Sequence, residues 1–429
     1  MADSGLFQSF QLPNGTRLKN RTAKAAMEEN LADVKNHNAP SKELVRLYRV
    51  FGAGGAGLIL SGHVMIDPYA VALPGDVVLA DDIPNFDPLP WKEWISATQN
   101  GGAQFWLQIN QPGRQIKKGA GLPVYGPSAV PMEMGSGSLN KMFDTPREMS
   151  ESQIQGVVER FVWTARKAEA LGADGVEIHA AHGYLVSQFL SPLWNKRTDR
   201  WGGTLENRAR LLFEVIRAVR AAVSPKFGVG VKINSADYQR GGFGPDDLTW
   251  VATRLKDMGL DLIEISGGSH ESPAMTGTHA KKPQRKSTQE REAYFLEAAR
   301  KLKEITTIPL MVTGGIRSRK TAEQVIASGD NLIAGIGTAI GLMPDLVERW
   351  KRGEDPAPHT ASSWVLSGKL TSAGQIACVQ YNLHRTANGR SRWVGVWPLL
   401  AVIIFLLNEN SQAKASRKWV HVLKDAKAQ

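Results

Sequence analysis

The run SESQIQGVVERFVWTARKAEALG (Ser150–Gly172), followed closely by GVEIHA (Gly175–Ala180), decides the fold. The first segment has helical period, with Ser150 or Ser152 placed to cap its N-terminus. The second is short and continuously apolar, as a parallel strand buried on both faces must be. Outward from this pair the alternation recurs. Further strand candidates are Thr22–Met27, Gly57–Ser61, Ala103–Ile109, Gly228–Asn234, Leu262–Ser266, Pro309–Gly315 and Asn331–Gly337, making eight with Gly175–Ala180. Helical candidates between them include Glu206–Val223 and Arg291–Ile305. Eight strand–helix alternations predict an α/β protein with a closed (β/α)8 barrel; a doubly wound open sheet is the alternative. Upstream, FQLPNGTRLKNR (Phe10–Arg21) carries Asn14-Gly15 between two apolar runs, the signal of a β-hairpin, here a lid across the barrel's bottom.

The barrel domain is assigned to residues 1–350 and a C-terminal extension to 351–429. The extension holds WVGVWPLLAVIIFLL (Trp393–Leu407), apolar all round, flanked by Arg and Lys and interrupted by Pro398. At 15 residues it is short of the ~20 needed to span a bilayer. A packed or dimer-interface helix, a peripheral membrane contact and a true span are the readings open to it, so a homo-oligomer is one expectation. The loop over residues 110–149 is long enough for a functional lid.

Hydrophobic residues make up 42% of the 429-residue chain and charged residues 22%, which suits a large globular core. The net charge of +11 comes from scattered Lys and Arg, so a solvated surface with phosphate contacts is expected and no nucleic-acid partner. The one cysteine, Cys378, excludes an internal disulfide, a Cys-based zinc site and a Cys-ligated iron–sulfur cluster, and no metal site is expected. The N-terminus lacks a secretory pattern, and a cytoplasmic location is expected, with membrane association left to the apolar segment.

Catalytic groups of a barrel project from the C-terminal ends of its strands. After the fourth strand come His179, His182 and Tyr184. Imidazole N–H groups stabilise charge developing on a carbonyl oxygen, and a phenol can protonate carbon. Gln108 lies inside an apolar strand, where its amide must find a partner: backbone, or the edge of a heterocycle. Lys232, near the end of strand five, needs an anion: a bound ligand, or Glu177 or Glu264. Gly314-Gly315 and Gly337-Thr338 follow strands seven and eight, where barrels commonly hold a phosphate.

HAAHGYLVSQFLSPLWNKRTDRWGGTLENRARL (His179–Leu211) resembles the signature of the Old Yellow Enzyme family of NADH:flavin oxidoreductases. LKNRTAKAAM, GGAGLILSG, LQINQPGRQ, GPSAVP, VKINSADYQRGGF, TGGIRS and PDL follow in the order the family has them, and the resemblance covers residues 5–350. It implies non-covalent FMN, NAD(P)H as reductant and an electron-poor alkene, such as an enone, as the small-molecule substrate. His179 and His182 would bind the substrate carbonyl oxygen and Tyr184 would donate the proton. Gln108 would bond the pyrimidine side of the flavin and Lys232 would sit by its N1. The backbone of Ala25, Ala26 and Met27 would pass beneath the ring, and Gly314, Gly315, Gly337 and Thr338 would meet the phosphate.

Three positions depart from the family pattern. Glu28 stands where many relatives carry Cys or Thr, His63 where many carry a small residue, and Thr338 where an Arg helps to hold the phosphate; Arg317 or Lys320 could replace that Arg. The leading reading is an ene-reductase. A flavin oxidase or isomerase on the same fold, and a non-catalytic flavin-binding scaffold, are the alternatives.

Overall fold

The computed structural model describes residues 5–118, 123–272, 295–360 and 369–428. After a hairpin of β1 (Phe10–Gln11) and β2 (Arg17–Leu18) come eight parallel strands. They are β3 (Thr22–Lys24), β4 (Leu58–Met65), β5 (Gln104–Asn110), β6 (Gly175–Ala180), β7 (Gly228–Asn234), β8 (Leu262–Ser266), β9 (Leu310–Thr313) and β10 (Leu332–Ile336). Each pairs with the next, and β3 pairs with both β4 and β10, so the sheet closes. All eight expected strands are present. The second runs past Ser61 to Met65, because it continues through a bulge that interrupts its apolar pattern.

The helices α1 (Lys42–Gly52), α2 (Leu89–Gln99), α3 (Glu151–Leu171), α4 (Leu205–Ala222), α5 (Pro245–Leu255) and α6 (Arg319–Ala327) wrap the barrel. The cap of α3 is Ser150, in a reciprocal capping box with Gln153, and Gly172 ends the helix at φ 97°. The helix expected over Arg291–Ile305 begins outside the described residues.

The barrel interior is layered. At its lower end Trp106 is fully buried with Leu58, Leu60, Leu262, Met311 and Ile333, and Leu12 and Leu18 of the hairpin plug this layer from below. The indole takes space that the facing strands give up. A Cβ on Gly228 would lie 2.2 Å from the Trp106 ring, and one on Gly175 2.7 Å. Above the indole the inward positions turn polar: Gln108, Glu177, Lys232 and Glu264.

The C-terminal extension packs on the barrel. Helix α7 (Lys369–Ala387) is tied to the segment after β3: Gln380 Nε2 donates to the Glu28 carbonyl (3.0 Å) and to Asn30 Oδ1 (2.6 Å). Pro398 does not interrupt a helix. It opens one, α8 (Pro398–Ala428), where its missing N–H costs nothing. The far end of α8 buries Trp419, Val420 and Leu423 against Val34, Met65 and Val78. Nearer its start, Ile403, Leu406 and Leu407 stay exposed. Among the described residues no helix is long and apolar enough to cross a membrane.

Gly228→Ala is expected to cost ~1–3 kcal/mol through overpacking against Trp106. Urea unfolding monitored by far-UV circular dichroism checks this; an unchanged midpoint would show that the indole has room to move.

Candidate active site

The C-terminal ends of the strands open into a cavity of about 370 Å³. Its floor carries Ala25, Ala26, Met27 and Lys232, and one side carries His63, His182 and Tyr184. Gly314, Gly315, Gly337 and Thr338 line another side, and Ile376, Val379 and Leu383 of α7 form the roof. The structure thus brings the residues singled out from sequence to one place. Gln108 and His179 stand just behind the lining, buried.

The polar layer under the cavity holds Lys232 in place. Its ammonium is ion-paired with Glu264 at 2.9 Å, both side chains buried, so one of the two carboxylates named from sequence is its partner. Glu177 accepts a hydrogen bond from Gln108 Nε2 (2.7 Å). Burial and the neighbouring Glu264 carboxylate push the Glu177 carboxyl well above the usual range. A protonated Glu177 beside the Lys232–Glu264 pair leaves the layer with no net charge. Among the described residues the buried Gln108 carbonyl oxygen has no hydrogen-bond partner.

Above this layer the chain turns sharply. His182 has φ 59° and Gly183 φ 75°. A left-handed non-glycine costs ~1–3 kcal/mol and persists only where neighbours hold it. Here they do: Asn234 Oδ1 accepts from the His182 N–H (3.1 Å), and Gln115 Nε2 donates to its carbonyl (2.8 Å). The turn sets His179 edge-on to His182 (centroids 5.2 Å apart) and to Tyr184 (4.8 Å). His179 Nδ1 accepts from the Ala181 N–H (3.2 Å), which leaves its proton on Nε2. His182 Nε2 is engaged by Ser266 Oγ at 2.7 Å.

Two further imidazoles join the cluster. His63 packs against His179 and Tyr184, and His270 against Tyr184. His270 follows the sixth strand and would have been found by the rule that exposed His179; its neighbour Glu271 anchors the loop through Arg114 at 2.5 Å. Burial depresses all four rings, His63 to about 3, His270 to about 4, and His179 and His182 well below their ordinary value. They are neutral N–H donors at physiological pH. Burial, with the carboxyls of Glu28 and Asp76, raises the Tyr184 phenol well above its ordinary range, so it is protonated. Among the described residues its hydroxyl has no hydrogen-bond partner.

Glu28 lines the same cavity. Its carboxyl contacts Asp76, and burial raises it to about 7 and Asp76 well above the carboxylate range. A carboxyl raised this far is more often protonated than an ordinary glutamate, which lessens the conflict that an ionised carboxylate would bring to an anionic reduced flavin.

The site suits FMN. Gly314 (φ 138°) and Gly315 (φ 78°) adopt backbone open to glycine, and a Cβ on Gly337 would meet nothing within 4 Å, so bare backbone faces open space there. Arg317 lines the cavity with these glycines and Thr338; Lys320 is not among the lining residues.

Residues 5–356 match the family model described as NADH:flavin oxidoreductase / NADH oxidase. The chain is 38% identical over 351 residues to the NADH-dependent flavin oxidoreductase iliE of Neonectria sp., covering 78% of this chain and 45% of that protein. It is 36% identical over 353 residues to iccE of Talaromyces variabilis, also named an NADH-dependent flavin oxidoreductase, covering 78% and 84%. The chain therefore spans less than half the length of the first relative and most of the second. The solved structure of morphinone reductase superposes with a TM-score of 0.66 at 25% identity, covering 82% of this chain and 90% of that one.

Neutral buried rings make stability pH-dependent. Below about 6.5 the unfolded chain takes up protons on these imidazoles and the folded chain does not, so their contribution is lost as pH falls. Glu28 and Asp76, raised in the fold, act oppositely. Unfolding free energy measured between pH 6 and pH 4 is expected to depend on pH less steeply in His63→Gln, by about one proton. Equal slopes in the two proteins would mean His63 titrates normally in the fold.

Proposed function

The chain belongs to the NADH:flavin oxidoreductase / NADH oxidase family, that of the Old Yellow Enzymes, and from that premise we propose that it reduces the carbon–carbon double bond of an α,β-unsaturated carbonyl compound. Its cofactors are FMN and a nicotinamide. The residues fitted to hold the flavin are Ala25, Ala26, Met27, Gln108 and Lys232 for the ring, and Gly314, Gly315, Gly337 and Thr338, with Arg317, for the phosphate. When bound, FMN supplies the redox chemistry, taking reducing equivalents from the nicotinamide and delivering them to the β-carbon of the alkene.

The protein's part is orientation, charge and one proton. His179 and His182 bind the carbonyl oxygen and draw electron density toward it, which makes the β-carbon electron-poor. Neutral rings suit this role, because they donate N–H bonds without a net charge that would trap the product. Lys232, fixed by Glu264, offsets negative charge on the flavin. Tyr184 gives its hydroxyl proton to the α-carbon and regains one from solvent. Tyr184 itself is 4% exposed, which shields its hydroxyl from bulk water.

The observation that carries this reading is the protonated Tyr184 hydroxyl, without a hydrogen-bond partner among the described residues, standing in one cavity with neutral imidazoles. An oxidase needs no such donor. The test is an anaerobic spectral series: NADH should bleach the flavin band of the purified protein, and cyclohexenone should restore it. Bleaching with no recovery on any of a panel of enones and unsaturated acids would leave the flavin chemistry and overturn alkene reduction.

Tyr184→Phe is expected to slow reoxidation by cyclohexenone ~100-fold or more, with bleaching by NADH within a few-fold of the parent. Stopped-flow rates of the two halves check this. Equal losses in both would remove Tyr184 as the proton donor.

A further inference from the structure

His63 lines the cavity, and its backbone is built to put it there. In β4, Leu58 and Leu60 point into the barrel with Trp106, while Ile59 joins the core outside it. Strict alternation would send His63 to the outer face with Ile59. The pairing with β5 instead slips: Leu60 faces Trp106 and His63 faces Gln108, so three steps along β4 match two along β5. This bulge returns His63 to the inner face, level with Gln108. Gly62 makes the slip feasible. A Cβ there would lie 2.0 Å from Glu29 Oε2 and 2.3 Å from the Met27 carbonyl oxygen. The Gly62 N–H is bound by Tyr48 Oη (2.8 Å), which donates in turn to Glu29 (2.5 Å), itself ion-paired with buried Lys24 (3.2 Å).

The ring is oriented as carefully as the backbone. It stands edge-on to His179 (centroids 5.4 Å, planes at 81°) and to Tyr184 (4.9 Å, 86°). Asn110 Nδ2 donates to its Nδ1 at 3.3 Å, which leaves the ring proton on Nε2. Among the described residues nothing accepts that Nε2–H. His182 differs: its Nε2 is taken by Ser266.

We infer that His63 is a substrate-binding residue, donating its Nε2–H to the substrate carbonyl oxygen beside His179 and His182. The inference rests on the function proposed above. It makes the oxygen site a cluster of three imidazoles rather than two, and ties carbonyl selection to the bulge in β4. Among the described residues Lys232, His182 and His270 are near the ring beyond His179 and Tyr184; Lys232 and His270 add to burial in disfavouring its protonation, so it stays a neutral donor.

Phenol is the probe, since its phenolate mimics the enolate oxygen formed when the alkene is reduced. Its dissociation constant is measured by calorimetry on the FMN-loaded parent, His63→Leu and His63→Gln, with flavin content read from the visible spectrum. His63→Leu should weaken phenol at least about tenfold, the worth of a hydrogen bond to an anionic oxygen. His63→Gln, which keeps an N–H donor, should recover to within about threefold of the parent. Parent-like affinity in His63→Leu would overturn the role of His63, and so would His63→Gln as weak as His63→Leu, because packing rather than the donor would then matter. A parent that reduces enones and binds phenol while both variants match it leaves the proposed function intact; a parent that binds no phenol removes the carbonyl-oxygen site on which both rest.

Discussion

A lysine ammonium buried in the middle of a barrel cannot be left without an anion, and Lys232, 2.9 Å from Glu264, is the constraint around which the rest of the molecule is arranged. The pair divides the interior. Below it the barrel is dry and filled by Trp106, with glycines on the facing strands making room. Above it the strand ends carry the imidazoles and the phenol. The charge also bears on what the imidazoles can be: the Lys232 cation adds to burial in keeping His63, His179 and His182 neutral. Neutral donors stand over an ion pair whose cationic end lines the cavity, so the site carries little mobile charge of its own.

The barrel was legible because its strands are buried on both faces. Continuous apolar runs followed by glycine or polar ends cannot be solvent-facing, and Gly175–Ala180, Gly228–Asn234 and Leu262–Ser266 are found at those bounds. The hairpin was equally readable, since Asn14-Gly15 specifies its turn. The second strand was truncated at Ser61 because Ser-Gly-His reads as the end of an apolar run. In the structure that tripeptide is the bulge, and the pairing that continues through it depends on contacts of Gly62 with Met27, Glu29 and Tyr48, far from it in the chain.

The site was legible to the same depth and for a similar reason. His179, His182, Tyr184, Lys232 and the glycines stand at strand ends, where barrel geometry brings distant segments together. What the sequence did not disclose is how each group is occupied. Ser266 takes one nitrogen of His182, and Glu177 takes the amide nitrogen of Gln108. The roof was invisible as well. Helix α7 carries no motif, and its cavity-facing Val379 and Leu383 become meaningful through the hydrogen bonds of Gln380 and His384 to the segment after β3. The extension thereby closes the cavity over the very segment that departs from the family at Glu28.

In the proposed reaction two hydrogens reach the alkene by different routes, one through the flavin to the β-carbon and one from Tyr184 to the α-carbon. Reducing cyclohexenone with unlabelled NADH in D2O and locating deuterium in the product by NMR tests it directly. Deuterium is expected at the α-carbon in excess of the exchange measured on a product control. No excess deuterium there, or no saturated product at all, would contradict the proton route.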